Sequence, residues 1–359
     1  MSGRAVDAQL NGNVLIGHRA IGKGHPVFII AEIGVNHNGD LRIARKLIDA
    51  AASSGADCVK FQTFRTGEFL ADRSLVYEYK AGGRSVRENM FDMFRRLELP
   101  LGWHKPLFDH CRRKKIVPLT SVADRQSADA VRRIGVPALK LSSEDLINLP
   151  LIEYAAGTGL PLILSTGMAD EEEIDDALAI LRARRCRDAI FLHCVSVYPA
   201  PEEEVNLLRM KTLAARTRAI VGYSDHAPGI TAALGAVALG AKVIEKHFTL
   251  DRNMRGPDHF LSSDPAEFAM LVRQIRALEK MMGSPALRPS ATEVKMRRMF
   301  RRSIVAGKNL KKGHILTMSD MCLKRPGTGL RPRDLAMLTG KRLLKDVKAD
   351  RQITLRMVR

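Results

Sequence analysis

Short apolar runs recur along roughly the first 250 residues of the chain, and stretches with helical period separate them. The runs are, in chain order, VFIIAE, DCVKFQ, IVPLT, PALKLSS, PLILST, AIFLHC, AIVGYSDH and KVIEKH. Helices are predicted at 41–54, 126–134, 171–183, 204–216, 231–239 and 265–282. Eight β-then-α units predict the α/β class and, within it, a TIM (β/α)8 barrel.

Most of these apolar runs end in a reactive polar side chain. The residues at or near the run ends are Glu32, Lys60, Gln62, Thr120, Lys140, Ser143, Thr166, His193, Asp225, His226, Lys246 and His247. In a TIM barrel the C-terminal ends of the strands carry the active site. Because acids, bases and hydroxyl groups gather at those positions, the chain is predicted to be an enzyme.

The chain is predicted to contain two domains joined by a linker. The barrel pattern occupies residues 1–283, a linker with a basic helical run follows at 284–300, and short runs separated by Gly, Asp and Pro predict a small β-rich domain at 301–359. Within the barrel, residues 66–100 are too long for a simple βα loop. This insertion is predicted to shape a substrate pocket, with a plain surface excursion as the alternative.

The composition is that of an ordinary globular protein, with 45% apolar residues and a formal net charge of +19. No apolar run is long enough to span a membrane and residues 1–25 contain no signal-peptide core, so a cytoplasmic location is expected. The five cysteines are scattered, which argues against a disulfide framework or a thiolate zinc site. The basic residues are spread over helices without interleaved aromatics, so neither nucleic acid nor membrane is an expected partner. A generally positive field would attract anionic substrates.

Two histidines close consecutive predicted strands, His226 the seventh and His247 the eighth. Neighbouring strand ends in a barrel can bring two imidazoles close enough to share one divalent metal ion. Zinc more often recruits a third protein ligand, whereas two histidines leave positions open for water and substrate oxygen. A lone strand-end histidine is usually structural, but this pair predicts a metal site.

Lys60 and Lys140 end the second and fourth predicted strands, where lysine is a poor core residue and a good partner for phosphate or carboxylate. Thr120 and Ser143 could add hydroxyl donors. A Schiff-base aldolase would also place a lysine at a strand end, and this alternative stays open.

Two carboxylates are further candidates for proton chemistry. Glu32 ends an otherwise apolar strand, where it is either a structural acceptor or a group that handles a proton or a substrate hydroxyl. Asp258, in the loop DRNMRGPDH after the last strand, is predicted to lie over the barrel mouth, with a plain turn as the alternative.

Several stretches together resemble the bacterial sialic acid synthases, which condense phosphoenolpyruvate with an N-acylated hexosamine. The matching stretches are FIIAEIGVNHNGD, ADCVKFQT, LILSTGMA, FLHCVSVYPAP, VGYSDHAPG, EKHFTLDRNMRGPDH and KRPGTGLRP. The resemblance covers about residues 26–359. The C-terminal part is similar to the antifreeze-like (SAF) domain of that family, and the resemblance implies a domain-swapped homodimer in which this domain caps the partner's barrel.

The resemblance also implies roles for individual residues. His226 and His247 would bind Mn²⁺ or Mg²⁺, and Glu32 would contact a substrate hydroxyl or handle the proton of the attacking water. The implied substrate contacts are Lys60, Thr120, Lys140, Ser143 and Ser196 on phosphoenolpyruvate, and Gln62, Asp145, Tyr198, Asp258 and the partner's Arg325 on the sugar.

Departures from the family pattern bear on the sugar. At the fourth strand the pattern KIGSGE is replaced by KLSSED, and the register set by Pro150 favours Asp145 over Glu144 as the sugar contact. Ser196 stands where some neuraminate synthases carry Asn, and His193 and His259 differ from pseudaminate-type enzymes. Serine at this position is common among legionaminate- and pseudaminate-type relatives, whereas the two histidines favour N-acetylneuraminate or legionaminate over pseudaminate. The expected product is N-acetylneuraminate, with N,N'-diacetyllegionaminate as the alternative.

Proteins of other classes account for the sequence less well. A Schiff-base aldolase would need one lysine near an apolar pocket and no metal. An ice-binding protein would need a regular Thr-rich face, whereas the C-terminal part has only Thr317, Thr328, Thr339 and Thr354, set among charges. A nucleic-acid binder would need a phosphate-tracking motif beside the positive charge.

Overall fold

The protein is described from a computed structural model, which covers residues 9–359. These residues divide into two compact units, one ending at Gly283 and the other formed by Ser284–Arg359. Residues 1–8, the first part of the predicted N-terminal arm, lie outside the described residues.

The first unit contains the predicted barrel. Its strands are β1 (Asn13–Ile16), β2 (Arg19–Gly22), β3 (Phe28–Gly34), β4 (Cys58–Thr63), β5 (Val76–Ala81), β6 (Arg84–Asn89), β7 (Val117–Val122), β8 (Leu139–Leu141), β9 (Leu162–Ser165), β10 (Ala189–Cys194), β11 (Ile220–Asp225) and β12 (Val243–His247). Within the described residues, eight parallel strands close in the order β10-β11-β12-β3-β4-β7-β8-β9. Each corresponds to one of the eight apolar runs, so the TIM-barrel prediction is confirmed.

The first unit also contains helices, which cover the outside of the barrel except for the two in the insertion at residues 66–100. They are α1 (Leu41–Ser53), α2 (Thr66–Phe69), α3 (Met90–Leu97), α4 (Leu101–Arg113), α5 (Arg125–Arg133), α6 (Leu149–Ala156), α7 (Glu171–Ala183), α8 (Arg209–Thr217), α9 (Thr231–Ala238) and α10 (Pro265–Met282). Local capping explains two of the starts: Asp170 and Glu173 form a capping box at α7, and Asp264 caps α10 one residue before Pro265. The helix predicted at 204–216 begins later, at Arg209.

Strand alternation decides which side chains enter the barrel. Glu32, Lys60 and His247 are register partners on adjacent strands, and partners in parallel strands point to the same face. They point inward, whereas Phe61 points outward and meets Phe108 of α4 with ring centroids 6.0 Å apart. The apolar positions therefore pack under the helices, and the polar positions gather inside the C-terminal end of the barrel.

The insertion at residues 66–100 is ordered by a small core of its own. It consists of α2, the antiparallel hairpin β5–β6 and α3. The buried residues of this core are Val35, Phe64, Tyr79, Met93 and Leu97. At the other end of the sequence, β1 and β2 form the predicted N-terminal hairpin.

The second unit begins with the segment that contains α11 (Ala291–Phe300), a helix without buried residues. The rest is compact, with β13 (Ser303–Ala306) paired to β14 (Met321–Lys324), several isolated bridges and the short helix α12 (Leu335–Leu338). Its core contains Ile304, Leu310, Leu316, Leu338, Leu343, Val347 and Ile353. Across residues 9–359, no helix is both long and apolar enough to cross a membrane.

Candidate active site

A pocket opens at the C-terminal end of the barrel, where the fold places active sites. Its lining residues are Glu32, Val35, Lys60, Gln62, Tyr77, Met93, Phe94, Lys140, Ser142, Ser143, Glu144, Ser165, Cys194, Tyr198, Ser224, His226, Glu245, His247, Pro257 and Asp258. The pocket therefore brings together most of the residues that the sequence singled out.

Lys60 lies at the centre of a buried ionic network. Its Nζ is 2.6 Å from Oε2 of Glu32 and 3.6 Å from Oε1 of Glu245. Gln62 Nε2 donates to Glu32 Oε1 at 3.0 Å, and Ser224 Oγ donates to Glu245 Oε1 at 3.1 Å. Burial opposes charge on Lys60, yet Glu245 and Glu32 together raise its pKa above the ordinary lysine value. Lys60 is therefore a fixed cation rather than a nucleophile.

The two carboxyl groups of this network titrate differently. Burial raises the pKa of Glu32 despite the nearby charge of Lys60. Burial acts the same way on Glu245, but Lys60 and Lys140 outweigh it and lower its pKa to about 2. Glu245 thus stays ionised, while Glu32 is the carboxyl better suited to exchange a proton near neutral pH.

Lys140 is equally buried, but no carboxylate among the described residues forms an ion pair with it. Its Nζ donates to Ser165 Oγ at 2.6 Å and to the carbonyl of Leu141 at 3.0 Å. Burial lowers the pKa of Lys140 below the ordinary value, with Glu245 acting in the opposite direction. A buried ammonium without a counter-ion favours an anionic ligand in the pocket.

His226 and His247 face each other at the pocket wall, with ring centroids 5.3 Å apart. Nδ1 of His226 lies 2.7 Å from the carbonyl of Val195, so that nitrogen donates and Nε2 keeps a free lone pair. Nδ1 of His247 has no hydrogen-bond partner and lies 3.4 Å from Oδ2 of Asp258. Burial lowers the pKa of His226, which favours the neutral imidazole that metals bind.

The strand ends that carry these histidines are braced from outside the barrel. Lys246 Nζ forms a 2.8 Å ion pair with Asp225 Oδ2 and donates to the carbonyl of Ala227 at 2.8 Å. Because Asp225 and Lys246 each precede one of the two histidines, their pair fixes the spacing of β11 and β12 at the site.

The histidine pair has the support that a divalent metal site needs, but the number of protein ligands around it is small. The hydrogen bond from Nδ1 of His226 to the carbonyl of Val195 is the kind of support that metal-binding imidazoles usually have. In the described part of the chain, however, no group of three or more His, Cys, Asp or Glu side chains is arranged to hold a metal. A metal at this pair would therefore need water and substrate oxygen to complete its coordination.

A close backbone approach marks the side of the pocket formed after β8, β9 and β10. The amide of Gly167 donates to Ser143 Oγ at 3.1 Å. A Cβ at residue 167 would lie 2.7 Å from Ser143 Oγ and would also clash with Ser196 Oγ. The hydroxyl groups of Ser143 and Ser196 thus lie close together beside the backbone of Gly167, whose amide is already bonded to Ser143. With the ammonium of Lys140 they form a cradle that suits a phosphate or carboxylate.

The predicted substrate contacts that do not line the pocket are Thr120, Asp145, Ser196 and Arg325. Thr120 pairs in register with outward-facing Phe61, and its hydroxyl lies 2.7 Å from that of Thr63 under α4. The inward hydroxyl of β7 is Ser121, the register partner of Lys140. The structure thus places Thr120 under the helix layer, because the pairing register with β4 and β8 turns Ser121 inward and neighbouring residues of a strand point to opposite faces.

The acidic pair at β8 is also arranged differently from the prediction. Glu144 lines the pocket, while Asp145 is buried beside it and is not a lining residue. Burial and then the charge of Glu144 raise the pKa of Asp145 to about 7. The pocket-facing carboxylate at this strand end is Glu144.

Several pocket residues escaped the sequence analysis. Glu245 and Ser224 lie two residues before His247 and His226, whereas Ser165 and Cys194 are the immediate neighbours of Thr166 and His193; all four line the pocket. Strand alternation alone could have found Glu245, since it lies two residues before His247. The apolar lining residues Val35, Tyr77, Met93 and Phe94 come from loops and the insertion, for which no alternation rule exists.

Arg325 belongs to the second unit. It precedes Pro326 and its guanidinium lies over the ring of Phe300, 5.1 Å from the centroid. Tyr198, in contrast, is in the pocket, with its ring centroid 4.1 Å from that of His226.

A parallel (β/α)8 barrel with a polar pocket of lysines, histidines and carboxylates at its C-terminal end defines a class of enzymes that act on small anionic substrates. Comparison with known proteins gives the family. The NeuB family model matches residues 47–286, and the SAF domain model matches residues 301–359. The chain therefore belongs to the NeuB family, the nonulosonic acid synthases, and carries the SAF domain at its C-terminal end.

The relatives span nearly the whole chain. It is 44% identical to an uncharacterized protein of Methanocaldococcus jannaschii, with 94% of this chain and 96% of that protein covered. It is 42% identical to the N,N'-diacetyllegionaminic acid synthase of Campylobacter jejuni, with 90% and 98% covered. Among solved structures, the sialic acid synthetase of Leptospira borgpetersenii is similar with a TM-score of 0.72 and 35% identity, over 80% of this chain and 95% of that one.

Proposed function

We propose that this enzyme condenses phosphoenolpyruvate with the open-chain aldehyde of an N-acylated mannosamine. C3 of the enolpyruvate bonds to the aldehyde carbon, water adds at C2, and the C2–O bond to phosphate breaks, giving a nine-carbon 2-keto acid sugar and inorganic phosphate. The observation that carries this proposal is the presence, in one pocket, of the unpaired buried Lys140 and the facing pair His226 and His247.

Phosphoenolpyruvate belongs on the Lys140 side of the pocket. Lys140 supplies an ammonium, and Ser143 and Ser196 supply hydroxyl groups held beside the backbone of Gly167. Lys60 adds a second fixed positive charge, and Ser121 is the hydroxyl that β7 directs inward. Donors that are fixed before the substrate arrives stabilise the substrate anion without having to reorganise. They can therefore also stabilise the phosphate as it leaves.

The charge balance of the pocket supports a metal ion. Lining carboxylates of Glu32, Glu144, Glu245 and Asp258 face the ammonium groups of Lys60 and Lys140. A trianionic substrate would add to this negative charge, so a divalent cation at His226 and His247 would offset it. Mn²⁺ or Mg²⁺ is the expected ion, and it would supply polarisation of the sugar aldehyde.

The remaining pocket residues act on protons and on the sugar. Glu32, whose pKa burial raises, accepts the proton of the attacking water and is held in place by Lys60 and Gln62. Asp258 stays ionised because His247 lowers its pKa against the effect of burial. It is therefore placed to accept hydrogen bonds from sugar hydroxyls, together with Gln62 and Tyr198 at the same mouth.

Two sugars are candidates for this reaction. The residues of the sequence favoured N-acetylmannosamine, the precursor of N-acetylneuraminate. The chain is more similar to the legionaminic acid synthase of C. jejuni, at 42%, than to the sialic acid synthetase of L. borgpetersenii, at 35%. This difference supports the alternative, 2,4-diacetamido-2,4,6-trideoxymannose.

Phosphate release from phosphoenolpyruvate tests the proposal. With Mn²⁺ and one of the two sugars, the purified enzyme is expected to release phosphate in proportion to the 2-keto acid formed, and EDTA is expected to stop it. Release without sugar, or formation of keto acid without phosphate, would contradict the proposed reaction.

A Schiff-base aldolase is the second candidate, because the lowered pKa of Lys140 is a property that such enzymes require. The two reactions differ in their inhibitors. Inactivation by borohydride in the presence of a 2-keto acid sugar, without any effect of EDTA, would favour the aldolase. Sensitivity to EDTA without borohydride trapping would exclude it, since a lysine that remains an ammonium forms no imine.

The SAF domain is proposed to complete the partner's site in a domain-swapped homodimer, with Arg325 approaching the sugar. Arg325→Ala and His247→Ala are each expected to be inactive alone. If Arg325 acts across subunits, mixing the two variants under conditions of subunit exchange should restore roughly a quarter of the wild-type rate, because random pairing places one intact site in half of the dimers. Failure of the mixture, with exchange shown by native mass spectrometry, would place Arg325 in its own subunit's site or outside the reaction.

A further inference from the structure

The pocket has two chemically different sides. At the ends of β8 and β9, Lys140, Ser143 and Ser165 line the pocket, and the backbone of Gly167 lies against Ser143 and Ser196; we call this the donor side. After β3 and β4 come Val35, Tyr77, Met93 and Phe94, a set that we call the apolar wall. In the closed strand order of the barrel, β3 and β4 lie across the ring from β9 and β10. The apolar wall therefore faces the donor side across the pocket.

The apolar wall is held by packing rather than left loose. Val35 and Met93 are buried in the small core of the insertion. The ring of Phe94 packs edge-on against Phe64 and Phe69, with centroids 5.7 and 5.3 Å away. Such interlocked aromatic rings have defined positions, so the wall can discriminate between substrates by shape.

The hairpin of the insertion also meets the loop that carries Asp258. Lys80 of β5 lies 5.5 Å from the ring centroid of Phe260. Burial and then the charge of Asp258 raise the pKa of the Tyr77 phenol, so the Tyr77 end of the wall lies near that carboxylate, and both residues line the pocket. The wall thus continues to the sugar-binding mouth of the pocket rather than to the phosphoenolpyruvate cradle.

The two candidate sugars present different surfaces to such a wall. N-acetylmannosamine carries hydroxyl groups at C4 and C6, and each would lose hydrogen bonds to water against apolar side chains. The diacetamido-trideoxy sugar carries a methyl at C6 and an acetamido methyl at C4, which gain from leaving water. A single methyl in an apolar pocket changes specificity by roughly 10- to 200-fold.

We infer that the apolar wall is the specificity-determining subsite of the enzyme, and that it selects a 6-deoxy hexose with a second acylamino group over a fully hydroxylated one. This inference rests on the proposed function, since it assigns the sugar end of the same pocket. It makes the insertion at residues 66–100 the part of the chain that decides which nonulosonic acid is formed.

Phe94 is the residue to change, because its ring lines the pocket while its neighbour Phe69 in the same cluster does not. In Phe94→Gln, the ratio of kcat/KM for the diacetamido-trideoxy sugar to that for N-acetylmannosamine should fall about tenfold or more. In Phe94→Leu the ratio should stay within about threefold of wild type, since the wall remains apolar. The KM for phosphoenolpyruvate should stay unchanged in both.

Phe69→Gln is the matched control, with the expectation of an unchanged sugar ratio. Dissociation constants of both sugars, measured by calorimetry without phosphoenolpyruvate, separate this inference from the proposed reaction. Preferential binding of the deoxy sugar that Phe94→Gln abolishes would support the wall even without turnover, in which case the proposed function alone fails. Turnover with an unchanged ratio in Phe94→Gln, or equal losses for both sugars and phosphoenolpyruvate, would overturn the wall as a specificity subsite.

Discussion

His226→Ala and His247→Ala should each lower turnover by about a thousandfold or more, because metal polarisation of a carbonyl supplies several kcal/mol of transition-state stabilisation. The rings face each other with centroids 5.3 Å apart, and the described residues offer no larger cluster that could replace them. Removing one ring leaves a single protein ligand, which cannot hold a divalent ion at micromolar concentration. Phosphate release at saturating Mn²⁺ and both substrates measures the loss.

A second measurement does not depend on activity. Calorimetric titration with Mn²⁺ should give about one bound ion per subunit for wild type and none for either variant. His110→Ala provides a matched control, since that ring is bonded to Asp49 on the barrel surface, far from the strand ends. Circular dichroism should show the fold intact in all variants. Full turnover by either site variant, or Mn²⁺ binding that survives both substitutions, would refute the metal assignment.

The barrel and the centre of its site could be predicted because one physical pattern specifies both. A continuous apolar run marks a strand buried on both faces, and a polar residue on the inner face of its C-terminal end lies at the barrel mouth. Lys60, Lys140 and His247 were found in this way, and the structure places each in the pocket.

The misplacement of Thr120 shows the limit of that pattern. An apolar run does not tell which of its alternate residues face inward, because that depends on the register in which β7 pairs with β4 and β8. Ser121 is one residue away from Thr120 and on the opposite face. The same uncertainty affected the acidic pair, for which the sequence favoured Asp145 whereas Glu144 lines the pocket. The short helical turn Ser143–Asp145 replaces regular alternation there.

The apolar wall could not be predicted from local sequence at all. Its members come from separate elements, since Val35 follows β3 and Met93 and Phe94 lie on α3. They meet only because the insertion folds back over the barrel mouth and builds its own core around Tyr79 and Leu97. Tertiary packing of this kind has no period in the sequence, so the specificity subsite became visible only in the structure.

Replacing Lys60 or Lys140 by methionine should raise the KM for phosphoenolpyruvate about a hundredfold, because each change removes a buried charged contact worth about 2–5 kcal/mol. The two changes should differ in their effect on the free energy of unfolding. Lys60 Nζ pairs with Glu32 and lies near Glu245. Lys60→Met leaves those carboxyl groups without their cation, and the free energy of unfolding should fall by about 3–5 kcal/mol. Lys140 has no such partner, so Lys140→Met should leave stability unchanged or raise it.

The pH dependence of stability provides a further difference between the two lysines. The folded-state pKa of Lys140 is lowered from 10.5, so between these pKa values the unfolded chain binds more protons than the folded one. Stability in wild type should therefore rise with pH through that window, and the rise should disappear in Lys140→Met.

The KM for phosphoenolpyruvate should increase over the same window, because the neutral amine of Lys140 no longer attracts the substrate anion. Lys140→Arg should remove that increase. Urea unfolding and initial rates at several alkaline pH values measure the two effects. A loss of stability in Lys140→Met equal to that in Lys60→Met would mean that Lys140 already has a counter-ion in the folded protein, and the phosphoenolpyruvate cradle would then need another cation.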